Sequence, residues 1–229
     1  MGRPRSFDRA EALERAMAVF WEYGYDATSV ALLTTALGIG PPSLYAAFGD
    51  KRSLFLEALD HYLHTHAAYT ERVLADEPNT REAVERLLCE AAAAFTTPDR
   101  PHGCMVLSAA TNSSPQSADI AARLRDQRAG RVRGLEARIA GAVRAGELPA
   151  GTDPHALAAF YAAVLQGMSA QARDGATTAD LLQIVDMALL AWPRPRRPPT
   201  ARRPVEADGP APRRSSPARG SKEGTVQDG

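Results

Sequence analysis

Cysteine is scarce in this chain. Two in 229 residues, Cys89 and Cys104, cannot build a disulfide framework and fit a reducing, cytosolic setting. Long hydrophobic runs are missing too: none approaches the ~20 apolar residues of a membrane-spanning helix, so no membrane partner is expected. The first residues, MGRPRSFDRAEALERA, are charged and then amphipathic, without the apolar centre of a secretory signal. Lysine is nearly absent as well. Arginine supplies 25 of the 27 basic residues and alanine is abundant, a coding bias with little functional content. No serine, cysteine or carboxylate pair carries the flanking pattern of a nucleophile or an acid–base dyad, so neither an enzyme nor a bound cofactor is expected.

A net charge of either sign is also lacking, but the zero divides unevenly. Residues 1–192 hold 18 basic and 23 acidic side chains, a net of −5, and residues 193–229 hold 9 and 4, a net of +5. Any attraction for a polyanion must therefore be local. Positive charge does cluster, at Arg3 and Arg5 and again at Lys51 and Arg52. Local placement matters because exposed charges are screened beyond ~8 Å at physiological salt.

What the chain does have is helical patterning. With 45% apolar residues it can bury a sizeable core in one or two helical domains. Ala10, Leu13, Met17 and Phe20 share one face of a helix expected from about Asp8 to Tyr23, ended by Gly24. The stretch TSVALLTTALGIGPPSLYAAFGDK, Thr28 to Lys51, then reads as a helix-turn-helix. Val30, Leu33 and Leu37 recur at helical spacing, Gly38 breaks the pattern, and Leu44 and Phe48 form a second, shorter stripe. Thr28 or Ser29 caps the first of these helices, and Pro41 and Pro42 open the second, where a missing N–H matters little. Such a pair is shaped to lay its second helix in the DNA major groove, which makes double-stranded DNA the leading partner.

Beyond Asp50 the periodicity predicts a helix from Lys51 to about Ala75. Another follows from Asn79, with Glu82 as its capping partner, to Phe95, and a short one begins near Gly103. Pro115 starts a long Arg-rich helix weakened by Gly130, Gly134 and Gly141. Asp153-Pro154 starts a helix bearing Leu157, Phe160, Tyr161, Val164, Leu165 and Met168, and Thr178 caps the last, which ends near Trp192. These two are apolar on more than one side and so need two neighbours each, one of which another subunit can supply. The expected fold is all-α, with about nine helices: a helix-turn-helix domain with a basic arm at 1–50 and a helical domain at 51–192. From Pro193 onward proline, arginine, serine and glycine dominate, and 193–229 is expected to be a disordered tail.

With these features in place, the first 60 residues resemble the TetR/AcrR family of bacterial transcription regulators. The matching residues are Phe20, Gly24, Tyr25, Thr28, Val30, Leu33, Ala36, Gly38, Ile39, Leu44, Tyr45, Phe48 and Lys51, with GRPR at Gly2 to Arg5 similar to a basic arm. Thr34 and Gly40 depart from the family's usual alanine and serine. The resemblance implies a cytoplasmic homodimeric repressor that binds a palindromic operator and releases it when a small-molecule effector enters the second domain. It implies phosphate contacts from Thr28, Tyr45 and Lys51, groove contacts from Pro42 and Ser43 on the recognition helix, and contacts along the backbone or in the minor groove from Arg3 and Arg5. Because Pro41, Pro42, Ser43 and Ala46 offer few donors, operator choice is expected to rest on methyl contact and DNA shape.

Large, soft side chains in the middle helices suggest a mostly apolar effector held by Tyr62, Tyr69, Leu88, Phe95, Cys104, Met105, Phe160, Tyr161 and Met168, residues that would equally fill an ordinary core. Cys104 reads either as an oxidisable sensor thiol or as a small buried packing group. Glu57, His61 and His64 share a helix face but lack a second cluster to complete a metal shell, so no metal is expected. Two alternatives remain open: a thiol- or metal-responsive DNA-binding regulator, and a helical ligand-binding protein that does not use DNA.

Overall fold

Helices start in this chain where a side chain can take over their free N–H groups. A computed structural model describes residues 7–109 and 114–194. The expectations for Arg3, Arg5 and the tail beyond Arg194 lie outside the described residues. Among the described residues are ten α-helices, one 3₁₀ turn and no strand. Asp8, Ser29 and Asp50 cap α1 (Arg9–Ala27), α2 (Val30–Leu37) and α4 (Lys51–His64) through their side chains; α3 (Pro41–Phe48) starts on Gly40 and two prolines instead. The others are α5 (Tyr69–Asp76), α6 (Thr80–Phe95), α7 (Met105–Ser108), α8 (Ala118–Ala145), α9 (Pro154–Arg173) and α10 (Thr178–Leu190).

The structure corrects several boundaries. The helix expected from Lys51 to Ala75 is two, which raises nine to ten. After His64 the amide of Ala67 reaches back five residues to the Tyr62 carbonyl, and the Thr65 hydroxyl bonds the His61 carbonyl at 2.7 Å. The chain is released to start again at Tyr69. Gly24 is not a simple end either: its φ of 76° and ψ of 177° kink α1, with a further turn to Ala27 beyond it. Pro115 opens the 3₁₀ turn Pro115–Ser117, and α8 starts only at Ala118. Thr177, not Thr178, caps α10, in a reciprocal box with Asp180. At α6 Asn79 accepts the Glu82 amide at 3.0 Å.

One core joins the helix-turn-helix to the rest. Phe20 of α1 meets Phe55 of α4 edge-on at 5.1 Å, and Trp21 meets Tyr62 at 4.8 Å. α8 and α9 pack side by side, and α6 lies against α5, α9 and α10. Tyr161, buried on α9, donates its hydroxyl to the Ala188 carbonyl of α10 at 3.2 Å, and burial pushes its pKa up to about 12.

Candidate nucleic-acid interface and effector cavity

α2 and α3 meet at 91°, joined through Gly38, whose φ of 69° sets the tight turn. That angle lies in the range of DNA-binding helix pairs. Leu33, Leu37, Leu44 and Phe48 point inward and are buried, which leaves Pro41, Pro42, Ser43, Tyr45 and Ala46 exposed on the opposite side of α3. Tyr45 is 48% exposed although it follows fully buried Leu44. The outer face is thus poor in donors.

Arg9 fixes α3 from behind. Its guanidinium makes two bonds to Glu57 of α4, at 2.6 and 2.8 Å, donates to the Ala47 carbonyl at 3.3 Å and lies 4.6 Å from the centre of the Phe48 ring. The Lys51 ammonium sits 4.4 Å from the centre of the Tyr25 ring. Burial lowers its pKa, against the opposing pull of Asp26. Lys51 is therefore held at the first turn of α4 against Tyr25, partly stripped of water, three residues beyond the end of α3.

Thr28 does not fit the role expected of it. Its side chain is fully buried, and its hydroxyl donates to the Gly24 carbonyl at 2.6 Å. Thr28 therefore secures the kink, and Ser29 takes the cap, accepting the Leu32 amide at 3.0 Å.

A second site lies among the helices α4 to α9, a cavity of about 70 Å³. Of the residues expected to hold an effector, Tyr62, Tyr69, Phe95 and Cys104 line it. The others do not reach it. Leu88, Met105 and Met168 are fully buried in the surrounding core, Tyr161 turns toward Trp192, and Phe160 is 40% exposed on the outside. Helical spacing finds the buried side of each helix but does not say which buried residue borders an empty space. The sequence reading also missed Arg128, Arg131 and Gln166 on the cavity wall. Arginines in an arginine-rich helix carried no signal to separate these from solvated ones.

Glu57, His61 and His64 are not brought together. Glu57 is taken by Arg9, His61 bonds Glu14 at 2.6 Å, and His64 bonds its own helix at the Asp60 carbonyl. His66 shares Glu14, at 3.0 Å. Burial favours the neutral acid at Glu14, but the bonds to the two histidines hold its pKa below the ordinary value. No group of three or more metal-ligating side chains occurs among the described residues.

Further contacts tie α1 and α4 to the helices that follow. The Arg173 guanidinium of α9 donates to the carbonyls of Trp21 and Glu22 at 3.2 and 3.1 Å, closing the end of α1 before its kink. Asp26 accepts from Ser114 and Ser117, and Arg52 pairs with Asp119 at the start of α8.

Residues 12–58 match the family described as bacterial regulatory proteins, tetR family, and residues 80–182 match the tetracyclin repressor-like C-terminal domain. The HTH-type transcriptional repressor ComR of Escherichia coli K12 is 39% identical over 193 residues, 84% of this chain and 92% of that protein. The chain belongs to the TetR family. BdcR of the same organism, also an HTH-type transcriptional repressor, is 42% identical over 120 residues, covering 52% of this chain and 61% of BdcR. Among solved structures, a cysteine-substituted CifR bound to 26-base-pair operator DNA superposes with a TM-score of 0.79 at 47% identity, covering 84% of this chain and all of that one. A TetR regulator from Rhodococcus sp. RHA1 is 38% identical, with a TM-score of 0.54 and coverage of 81% and 99%. The protein is thus a DNA-binding transcription regulator of the TetR family. Both family matches fall on the elements that carry the two sites.

Proposed function

We propose that this protein is a cytoplasmic repressor that grips a palindromic operator as a homodimer and lets go when a small, mostly apolar effector fills the cavity. The observation that carries this reading is the helix pair at 91°, with its apolar residues inward and Pro42, Ser43 and Tyr45 outward. Tyr45 and Lys51 hold phosphates, Pro42 and Ser43 enter the groove, and Arg3 and Arg5 extend the grip along the duplex. The repressor names of ComR and BdcR and the operator bound by CifR support this assignment. A regulator of this kind works where the chromosome is, in the bacterial cytoplasm.

Release follows from the packing. Tyr62 lines the cavity and also braces Trp21, while its helix, α4, begins at Lys51. A ligand that presses on Tyr62 moves α4 against α1 and changes the separation of the two recognition helices, which must match one DNA turn of ~34 Å. The ligand acts only through its higher affinity for the non-binding arrangement. The position of Cys104 on the cavity wall favours a second reading, in which modification of the thiol takes the place of a ligand.

The test is operator binding by fluorescence anisotropy, using a duplex from the protein's own upstream region. Tyr45→Ala with Lys51→Ala should weaken binding and make the salt dependence shallower, by about 1 in log–log slope for the ammonium–phosphate pair that Lys51 supplies. Unchanged affinity and slope in the folded double variant would overturn the assignment.

A further inference from the structure

Arg131 is a charged side chain in a largely apolar cavity, with no carboxylate paired to it among the described residues. Leu74, Phe95, Leu135 and Leu165 supply apolar wall, and three of the polar groups, Tyr62, Cys104 and Arg131, meet at one place. There the Tyr62 hydroxyl donates to the Cys104 sulfur at 3.4 Å, and one nitrogen of Arg131 donates to the same sulfur at 3.8 Å. A guanidinium offers five N–H donors and keeps its charge at any physiological pH. No carboxylate among the described residues lies within ion-pair distance of it. Several other arginines differ: Arg9, Arg52, Arg72, Arg81 and Arg86 each hold a carboxylate, Arg138 and Arg173 hold backbone carbonyls, and Arg123, Arg125, Arg133 and Arg144 are exposed to solvent.

The groups near enough to act on the Arg131 charge, besides burial, which opposes it, are Cys104, Tyr62 and Tyr69. Burial holds both phenols above their ordinary pKa, so neither supplies a negative charge at neutral pH. Arg128, one turn away on α8, adds a second guanidinium to the wall and donates to the Val106 carbonyl at 3.3 Å. The cavity is therefore a positive pole set in apolar surroundings, and a buried charge of this kind is stabilised by a partner of opposite sign.

We infer that the effector is a small apolar carboxylate, its anionic group paired with Arg131 and its hydrocarbon body against the leucines and Phe95. Two coplanar N–H groups of a guanidinium match the two oxygens of a carboxylate, and the Tyr69 hydroxyl stands near the pair as a further donor. The cavity has about half the ~150 Å³ of one that admits benzene, which favours a chain of about four carbons. This assignment rests on the proposed function for its regulatory meaning, but the binding is independent of it.

The test uses the full chain and a matched set of probes: butyrate, 1-butanol, butylammonium and inorganic phosphate, titrated by calorimetry and by thermal shift. Butyrate should bind and raise the melting temperature, while 1-butanol binds at least about tenfold more weakly and butylammonium and phosphate do not bind. Arg131→Met should lose butyrate binding by about tenfold or more, while the ligand-free variant keeps or exceeds the thermal stability of the wild type, because it removes an uncompensated charge. A variant that melts well below the wild type would show Arg131 to be structural and overturn the assignment. So would equal binding of butyrate and butanol, or phosphate binding alone. Operator binding is measured in parallel. Butyrate binding without any operator binding would sink the repressor reading and leave the ligand class standing. Operator binding in both proteins, with a response to butyrate only in the wild type, would support both.

Discussion

At Gly103 the backbone turns with a φ of 76°, and a Cβ added there would lie 2.7 Å from the Ser169 carbonyl oxygen and 2.8 Å from its hydroxyl. The clash is with backbone of a packed helix, which cannot yield cheaply. It also sits beside the bond from the Cys104 amide to the Ser169 hydroxyl, 2.9 Å, that sets Cys104 at the cavity wall. Gly103→Ala should therefore destabilise the fold by about 2–3 kcal/mol, read from urea unfolding at fixed protein concentration, from the sum of φ strain and overpacking. A change within about 0.5 kcal/mol, the size of an ordinary surface substitution, would mean that α7 and α9 are not pressed together. Arg138 shows the same dependence on distant partners. Its guanidinium gathers the carbonyls of Leu74, Glu77 and Pro78 at the end of α5, far away in the chain. Neither residue is conspicuous in the sequence, because their meaning lies in a neighbour that only folding brings near.

Helices are the scale at which the sequence is most readable. Capping residues and apolar spacing act within one or two turns, so α1, α2, α3, α6 and α9 can be placed from Asp8, Ser29, the Pro41–Pro42 pair, Asn79 and Asp153. The break between α4 and α5 is not readable, since alanine, threonine and histidine at 65–68 are all tolerated in helices. What ends α4 is tertiary: the His66 ring lies against Trp21 and Tyr62 while its Nε2 faces Glu14. The cavity is half legible for the same reason, since Tyr62, Tyr69, Phe95 and Cys104 stand out by type and Arg131 does not. α8 reverses the case. It runs unbroken through Gly130, Gly134 and Gly141, so its packing against α9 outweighs a local weakness of about 1 kcal/mol per glycine. A Cβ on Gly134 would meet nothing within 4 Å. Gly134→Ala should thus raise stability by about 1 kcal/mol, or roughly 2–4 °C in melting temperature. A lower melting temperature would show that another chain covers that position.

For the whole molecule the decisive surface is the outer face of α9 and α10. Met187 and Leu190 are each 67% exposed, with Phe160 and Leu182 at 40% and 37%, although most large apolar side chains here are buried. Along α9, Ala159, Ala163 and Gly167 recur every four residues and are exposed, a strip on which a second helix can approach closely. Two such faces related by a two-fold axis make a four-helix interface in which each chain uses the same patch. Burying a large apolar side chain fully is worth about 1.5–3 kcal/mol, and symmetry doubles each contribution. Placing carboxylates there should be enough to separate the chains. Met187→Glu with Leu190→Glu is expected to give a monomer by light scattering, with its helical circular dichroism retained because neither side chain enters the monomer core. Operator affinity should then fall by a factor of about 10² or more, since the second half-site no longer benefits from the first. A double variant that stays dimeric would move the interface elsewhere. One that becomes monomeric yet binds the operator undiminished would show that each recognition helix acts alone, and that the cavity cannot work by changing their spacing.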